Sequence, residues 1–360
     1  MRKLVIIGPV PPPWHGVAVS THLVLKNEHL GGTFKVVHLD TTDNRPIDNL
    51  GHWDARNVIL GLDAVRRLAG NLVREKGVVY LPLSENTGGF LRDSLFIWTA
   101  RVLGWRTAVH IRNSLFVDFY ESQLALMRWW IRRTMRAITR VAVLGETLRP
   151  LMDGFVESSR VAVVPNGTPA FERPRCEPDG SLVLYLSNIS RKKGADIAVR
   201  AACMIAKEDE RAHFVFAGGW ESSAFESEVR ELAAPLGNRI EFLPPVAGEL
   251  KARLMASARV LLFPVAWGEG HPRIVLEALA AGLPIVTTNR ATIGETVVDG
   301  ISGFVLPDPD PAKVAGRALE LLQNDGLHAS VSVAARVRYE ERFTQDAADR
   351  SIALWLSGVE

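Results

Sequence analysis

The sequence predicts two α/β domains, each a parallel sheet doubly wound with helices on both faces. Three observations carry that prediction. At roughly 100–200 residues per domain, the 360 residues of the chain call for two domains, each able to bury its own core. Short apolar runs rich in β-branched residues alternate with longer segments of helical period, as strands covered on both sides require. A stretch of turn formers at 169–181, with Pro169, Pro174, Pro178 and Gly180, divides the chain near its middle.

In chain order, the first-half strand runs fall at 3–8, 34–39, 78–81, 107–111, 141–144 and 161–164. The second-half runs fall at 182–187, 213–217, 240–243, 260–263, 285–288 and 303–306, with amphipathic segments such as 196–206 and 247–257 between them. Strand–helix repetition on this scale means a doubly wound sheet formed twice over. The expected domains are 1–172 and 173–338. The tail at 339–360 reads as two helices broken near Thr344.

Composition narrows the class. A 47% hydrophobic content is too high for disorder, and 29 Gly with 20 Pro lack a collagen period. Two cysteines, Cys176 and Cys203, give neither a disulfide framework nor metal-ligand spacing, so a cytoplasmic chain without structural metal is expected. No apolar run approaches the ~18–20 residues that span a bilayer, and residues 4–7 are too short for a signal-peptide core. The net charge of +2 hides an asymmetry. Residues 1–175 carry 23 Lys/Arg against 15 Asp/Glu, whereas residues 176–360 carry 19 against 25. That split suits an anionic ligand for the first half and a hydroxyl-rich one for the second, although chance variation between surfaces gives the same count.

Ligands of doubly wound sheets bind beyond the carboxyl ends of the strands, and two such domains facing each other would hold a ligand in the cleft between them. After the run 260–263 comes a loop with Glu269, Gly270 and His271, then Pro272 in the first turn of a helix that contains Glu277 and ends at Gly282. Both carboxylates can reach one elongated ligand across the helix start, because a helical residue rises only ~1.5 Å. A carboxylate accepts two hydroxyl hydrogen bonds, which suits vicinal diols, and the helix N-terminus offers N–H groups to a phosphate. An isolated Glu is more often solvated, but Glu277 lies in a helix otherwise apolar from 274 to 281. After 182–187 the chain reads Asn188-Ile-Ser-Arg191-Lys192-Lys193-Gly194, three cations closed by a glycine. This is either a diphosphate clamp or an exposed basic turn.

In the first half, the opening strand leads through a proline-stiffened loop to Gly16 at a helix start, where a backbone can approach phosphate closely. Trp14 and His15 in that loop read as packing. His110 ends the run Thr107–Val109 and is followed by Arg112. A lone His is more often structural, but this one stands at a strand end, where imidazole could donate to a ligand or share an acceptor's proton. Arg112 could meet phosphate or acceptor. The segment 124–140 holds Arg128, Arg132, Arg133, Arg136 and Arg140 with no acid and two Trp, and Leu124, Met127, Ile131, Met135 and Ile138 form its apolar stripe. It suits a helix against anionic lipid headgroups, or an ordinary amphipathic helix solvated on one side. The basic face lacks interleaved aromatics and the second half is acidic, so no nucleic-acid partner is expected.

Glu269-x7-Glu277, Lys193-Gly194 after a strand, Pro165-Asn166-Gly167, and Asp299-Gly300-Ile-Ser-Gly303-Phe304 together resemble the family 4 retaining glycosyltransferases. The similarity runs over nearly the whole chain. It implies the GT-B fold, two Rossmann-like domains facing across a cleft, with the last helix crossing back onto the first domain. It implies transfer of a sugar from a nucleoside diphosphate to the hydroxyl of a saccharide or lipid-linked acceptor, with retention and without a metal cofactor, in polysaccharide or envelope glycan synthesis at the cytoplasmic side. By that resemblance Glu277 holds the ribose, Glu269 the transferred sugar, Lys193 the diphosphate with Arg191 as helper, Val246 the base through its backbone, and His110 the sugar near the reacting carbon. Two departures stand out. Gly270-His271-Pro272 replaces a Gly-Phe-Gly and removes one N–H donor, and Ser187-Asn188 stands where many members carry an Arg. An epimerase or phosphorylase on the same fold, or a non-catalytic nucleotide-sugar binder, are the alternatives.

Overall fold

In the computed structural model, which describes residues 1–12, 16–42, 55–73, 75–172, 174 and 179–359, each of the twelve apolar runs becomes a strand. They are β1 Arg2–Gly8, β2 Phe34–Asp40, β3 Gly77–Pro82, β4 Arg106–His110, β5 Arg140–Val143 and β6 Val161–Val163, then β7 Leu182–Leu186, β8 His213–Ala217, β9 Ile240–Leu243, β10 Val260–Phe263, β11 Ile285–Thr288 and β12 Phe304–Leu306. Ends move by a residue or so where pairing dictates. Arg2 joins β1 because it pairs Phe34, and Pro82 joins β3 because it pairs His110. Gly303 leaves β12 because it closes a bridge to Asp299 in the preceding turn.

The helices are α1 Gly16–Leu25, α2 Ala55–Leu72, α3 Thr87–Val102, α4 Phe116–Glu121, α5 Ala125–Ala137, α6 Ala195–Glu208, α7 Ser223–Ala233, α8 Gly248–Ser257, α9 Arg273–Ala281, α10 Ile293–Thr296, α11 Pro311–Gln323, α12 Asp325–Arg342 and α13 Gln345–Ser357. The chain divides into two units. One comprises Met1–Asn166 with Asp346–Glu360, the other Gly167–Gln345.

The sheet of the first unit has the order β2-β1-β3-β4-β5-β6, and that of the second β12-β11-β10-β7-β8-β9. Every strand pair is parallel. Parallel pairs need crossover helices, which cover both faces and explain why the strands read as unbroken apolar runs. The winding direction reverses between β1 and β3 in the first unit and between β7 and β10 in the second. At such reversals the loops diverge and leave a crevice beyond the strand ends. In the second unit these loops are 187–194 and 264–272, and in the first they include 83–86.

The tail breaks where expected. Phe343 leaves helical geometry, and Thr344 pairs in extended form with Thr168. The two halves of the tail serve different cores. Tyr339 and Phe343 pack with Leu276 and Leu279 of the second unit, whereas Ile352 and Trp355 join Leu4, Ile6 and Tyr80 in the first. The stretch at 169–181 is not purely a spacer, because Phe171 packs against the second unit's core. Trp14, His15, Cys176 and Pro178 lie outside the described residues. Leu124 departs from its expected place in the apolar stripe. The helix begins only at Ala125, and Leu124 caps it from outside while Ile131, Met135 and Ile138 face the core. Among the described residues, no helix is long and apolar enough to cross a membrane.

Candidate functional site

The winding reversal of the second unit brings together two of the residues singled out in sequence. Lys193 ends the loop after β7, and Glu269 lies in the loop after β10. Their ammonium and carboxylate form an ion pair with the Glu269 side chain only 10% exposed. The pair is built by the backbone beneath it. The Lys192 carbonyl accepts from the N–H groups of Ala266 (3.0 Å) and Trp267 (3.2 Å), which laces one loop to the other. The buried Tyr185 hydroxyl donates to the carbonyls of Asn188 (3.0 Å) and Lys193 (3.3 Å), anchoring the loop from the sheet side. Burial pushes this phenol well above its ordinary value, and the nearby Asp196 and Glu269 carboxylates push it further. Burial also raises the Glu269 carboxyl, which the Lys193 charge opposes.

Gly194 closes this loop for a reason the sequence only hints at. Its φ is +70°, and a Cβ there would stand 1.9 Å from the Pro264 carbonyl oxygen. No side chain fits between the two loops. Gly194→Ala is therefore expected to cost about 2–4 kcal/mol, from left-handed backbone plus overpacking, and to push Lys193 away from Glu269. Urea unfolding of the variant measures it. A loss within error would mean that the loops are not held this closely.

Glu277 lies on α9, which Pro272 caps from outside rather than from within the first turn, its ψ of 124° being extended. Gly282 ends the helix in the left-handed conformation, as expected. The Glu277 carboxylate is paired with Lys251 of α8 at 2.6 Å, both half-buried. Sequence reasoning missed Lys251. Its only local signal is a place in the first turn of the helix after β9. Val246, half-buried in the loop before α8, packs against the second unit's core.

Three further residues singled out in sequence have partners of their own within the second unit. Arg191 does not stand with Lys193 as a ready clamp. Its guanidinium is bound to Glu228 at 2.6 Å, lies over the Phe225 ring, and its backbone N–H donates to Glu221. The ring of His271 is buried, with Nε2 3.1 Å from the Thr296 hydroxyl and a T-shaped contact to the Phe343 ring. Asn188 is exposed, and its carbonyl is spent on Tyr185. Gly270 is buried, and its carbonyl accepts from the Thr292 hydroxyl at 2.8 Å.

In the first unit, β4 ends in His110, which is 1% exposed and enclosed by Tyr80 and Trp355. Arg112 donates to His110 Nδ1 at 3.2 Å, and the Val164 carbonyl also bonds the ring. Burial and the Arg112 charge hold the imidazole well below its ordinary value, so it is neutral at pH 7. The ring is thus buried, hydrogen-bonded and uncharged within the first unit. Arg112 is half-buried, with no carboxylate partner within 4.0 Å among the described residues. Burial lowers its affinity for its proton, and a charge so placed favours an anion beside it. Gly16 opens α1 with no atom within 4 Å of where a Cβ would stand, so internal packing does not demand glycine there.

The chain is similar to known proteins in sequence pattern and in fold. Residues 180–324 match the family model for glycosyl transferases group 1. A D-inositol 3-phosphate glycosyltransferase of Acidothermus cellulolyticus is 33% identical over 218 residues, which covers 55% of this chain and 48% of that protein. The human alpha-1,3/1,6-mannosyltransferase ALG2 is 25% identical over 46% of this chain and 42% of its own. The chain spans about half the length of the curated relatives it matches. Among solved structures, Anabaena Alr3699/HepE in complex with UDP superposes with a TM-score of 0.75 at 15% identity, covering 99% of this chain and 100% of that one. A glycosyltransferase from Rickettsia africae superposes at 0.74 and 15% identity over 99% and 98% of the two chains. The chain has the GT-B fold, and its second unit carries the sequence pattern of glycosyl transferases group 1.

Proposed function

We propose that the chain is a family 4 retaining glycosyltransferase that moves a sugar from a nucleoside diphosphate to an acceptor hydroxyl. The observation that carries this reading is the Lys193–Glu269 pair at the winding reversal of the second unit, with Glu277 on the helix that follows. The matched sequence pattern over residues 180–324 supports it, as do relatives named for transfer to inositol phosphate and for mannosyl transfer.

The two lysine–glutamate pairs give the reading a mechanism. A diphosphate entering beside Lys193 competes with Glu269 for the ammonium. As Lys193 turns to the phosphate, Glu269 is released to accept hydrogen bonds from the sugar hydroxyls. Lys251 and Glu277 offer the same exchange, leaving Glu277 for the ribose diol. The bond from the anomeric carbon to the phosphate oxygen then breaks with its electron pair on the phosphate. The acceptor oxygen bonds to that carbon on the same face, and its proton passes to the departing phosphate. Lys193 and the N-terminus of α9 stabilise the charge that develops there, and no metal is needed for that step. In the first unit, Arg112 supplies a cation for phosphate or acceptor, and Gly16 allows close backbone approach.

A thermal-shift screen with UDP, GDP and ADP tests the reading first. A cognate diphosphate at 100 times its dissociation constant adds ~2.7 kcal/mol of stability. The matching nucleotide-sugar, incubated in EDTA with simple glycosides as acceptors, should then give a product of unchanged anomeric configuration by NMR. Absence of a shift with every diphosphate would sink the donor site, and an inverted product would sink retention. A changed nucleotide-sugar formed equally with and without acceptor would favour an epimerase.

A further inference from the structure

We propose that the outer flank of α5 docks the first unit on an anionic lipid bilayer. The helix carries Arg128, Arg132, Arg133 and Arg136 and no acidic residue. Among the described residues, none of the four has a carboxylate partner within 4.0 Å. Three are oriented by neutral groups instead: Arg128 donates to the Gln123 carbonyl at 2.7 Å, Arg132 lies over Tyr120 at 5.2 Å and donates to its hydroxyl at 2.6 Å, and Arg133 lies over Trp98 at 5.6 Å. Their charge is left without a carboxylate to compensate it.

The apolar residues of the segment divide between two directions. Ile131, Met135 and Ile138 are buried, whereas Leu124, Leu126 and Trp129 are 83%, 78% and 57% exposed. Trp129 is braced from behind, its ring 6.2 Å from Trp130, which stacks on Trp98 of α3 at 5.8 Å. A large ring and two leucines projecting beside four unpaired guanidinium groups match a bilayer surface on both counts. Headgroups take the charge, and the acyl boundary takes the side chains. A nucleic acid would engage the arginines and leave Leu126 and Trp129 without a partner. With 13 residues, α5 is ~20 Å long, too short to span, so it lies on the membrane rather than across it. A crossover helix runs antiparallel to its strands, which sets the amino end of α5, with Leu124 and Leu126, toward the carboxyl edge of the sheet that carries His110 and Arg112.

Co-sedimentation with vesicles tests this. The chain should pellet with vesicles of phosphatidylglycerol and phosphatidylcholine in equal parts, stay in the supernatant with phosphatidylcholine alone, and release as salt rises. Arg133→Gln with Arg136→Gln should weaken partitioning ~25-fold, about fivefold per arginine. Leu126→Ser with Trp129→Ser should weaken it at least ~10-fold even at low salt, while the melting curve of either double variant stays that of the wild type. A wild-type chain that ignores anionic vesicles overturns the proposal. So does an apolar double variant that binds as well as the wild type, or preferential binding to duplex DNA. The assay contains no donor or acceptor, so its failure leaves the transferase reading where it stood.

Discussion

Lys193→Ala should weaken nucleoside diphosphate binding ~10- to ~150-fold and at the same time lower the stability of the chain by about 3 kcal/mol. The first effect follows from losing one charge-assisted hydrogen bond, which contributes ~1.5–3 kcal/mol in a site of low water content. The second follows from what remains. Glu269 is almost fully buried, and among the described residues Lys193 is the group that lowers its carboxyl against the effect of burial. Without the ammonium, the folded state must either keep an unpaired buried charge or bind a proton at neutral pH. Protonation is the cheaper course and limits the loss, so the instability should shrink as pH falls. Adding Glu269→Gln separates the two effects. The double variant should recover most of the stability, because both partners are then neutral, yet stay as weak as the single variant toward diphosphate. Calorimetric titration with the cognate diphosphate and urea unfolding give the two numbers. Unchanged diphosphate affinity in Lys193→Ala would end the assignment of this pair to the donor.

The same residues show what a sequence can and cannot reveal. All twelve strands were legible because burial on both faces forces continuous β-branched runs, and such runs survive any detail of packing. The meeting of Glu269 and Lys193 was legible because each follows a strand at the winding reversal, and topology carries those strand ends to one edge. Partnership was not legible. Lys251 meets Glu277 across 26 residues, and nothing local to either announces it. Arg191 stands two residues from Lys193 but turns to Glu228 of α7 at 2.6 Å, with Asp196 of α6 at 3.8 Å. His110 ends its strand as a cleft residue would, but Trp355, from the far end of the chain, closes over it. Contacts between distant segments decide each of these cases, and spacing does not encode them.

Glu85 is the sharpest example of a residue whose character is set wholly by tertiary structure, and it should make the stability of the chain depend on pH. It follows β3, at the winding reversal of the first unit. The loop cannot easily swing it outward. The N–H of Ser84 donates to Asp93 at 2.8 Å, and the Asn86 side chain caps α3 by accepting from Gly89 at 2.8 Å. Both carboxyl oxygens are buried without a well-formed hydrogen bond, although backbone N–H groups of Leu115 and Asn113 approach them. Burial, aided by the Asp118 charge and only partly opposed by those N–H groups, pushes the carboxyl up from 4.5 to about 7. The folded chain therefore holds a proton that the unfolded chain releases, so stability falls as pH rises from 4.5 to about 7 and is level beyond. At 1.36 kcal/mol per unit, the full penalty at pH 8 is ~3 kcal/mol. Glu85→Gln removes the titration while keeping the shape. Relative to the wild type, the variant should gain ~3 kcal/mol between pH 4 and pH 8 in urea unfolding, with the change concentrated below pH 7. A difference between the two proteins that stays constant over that range would mean Glu85 is solvated in the folded chain, and that the crevice beside β3 is open to water.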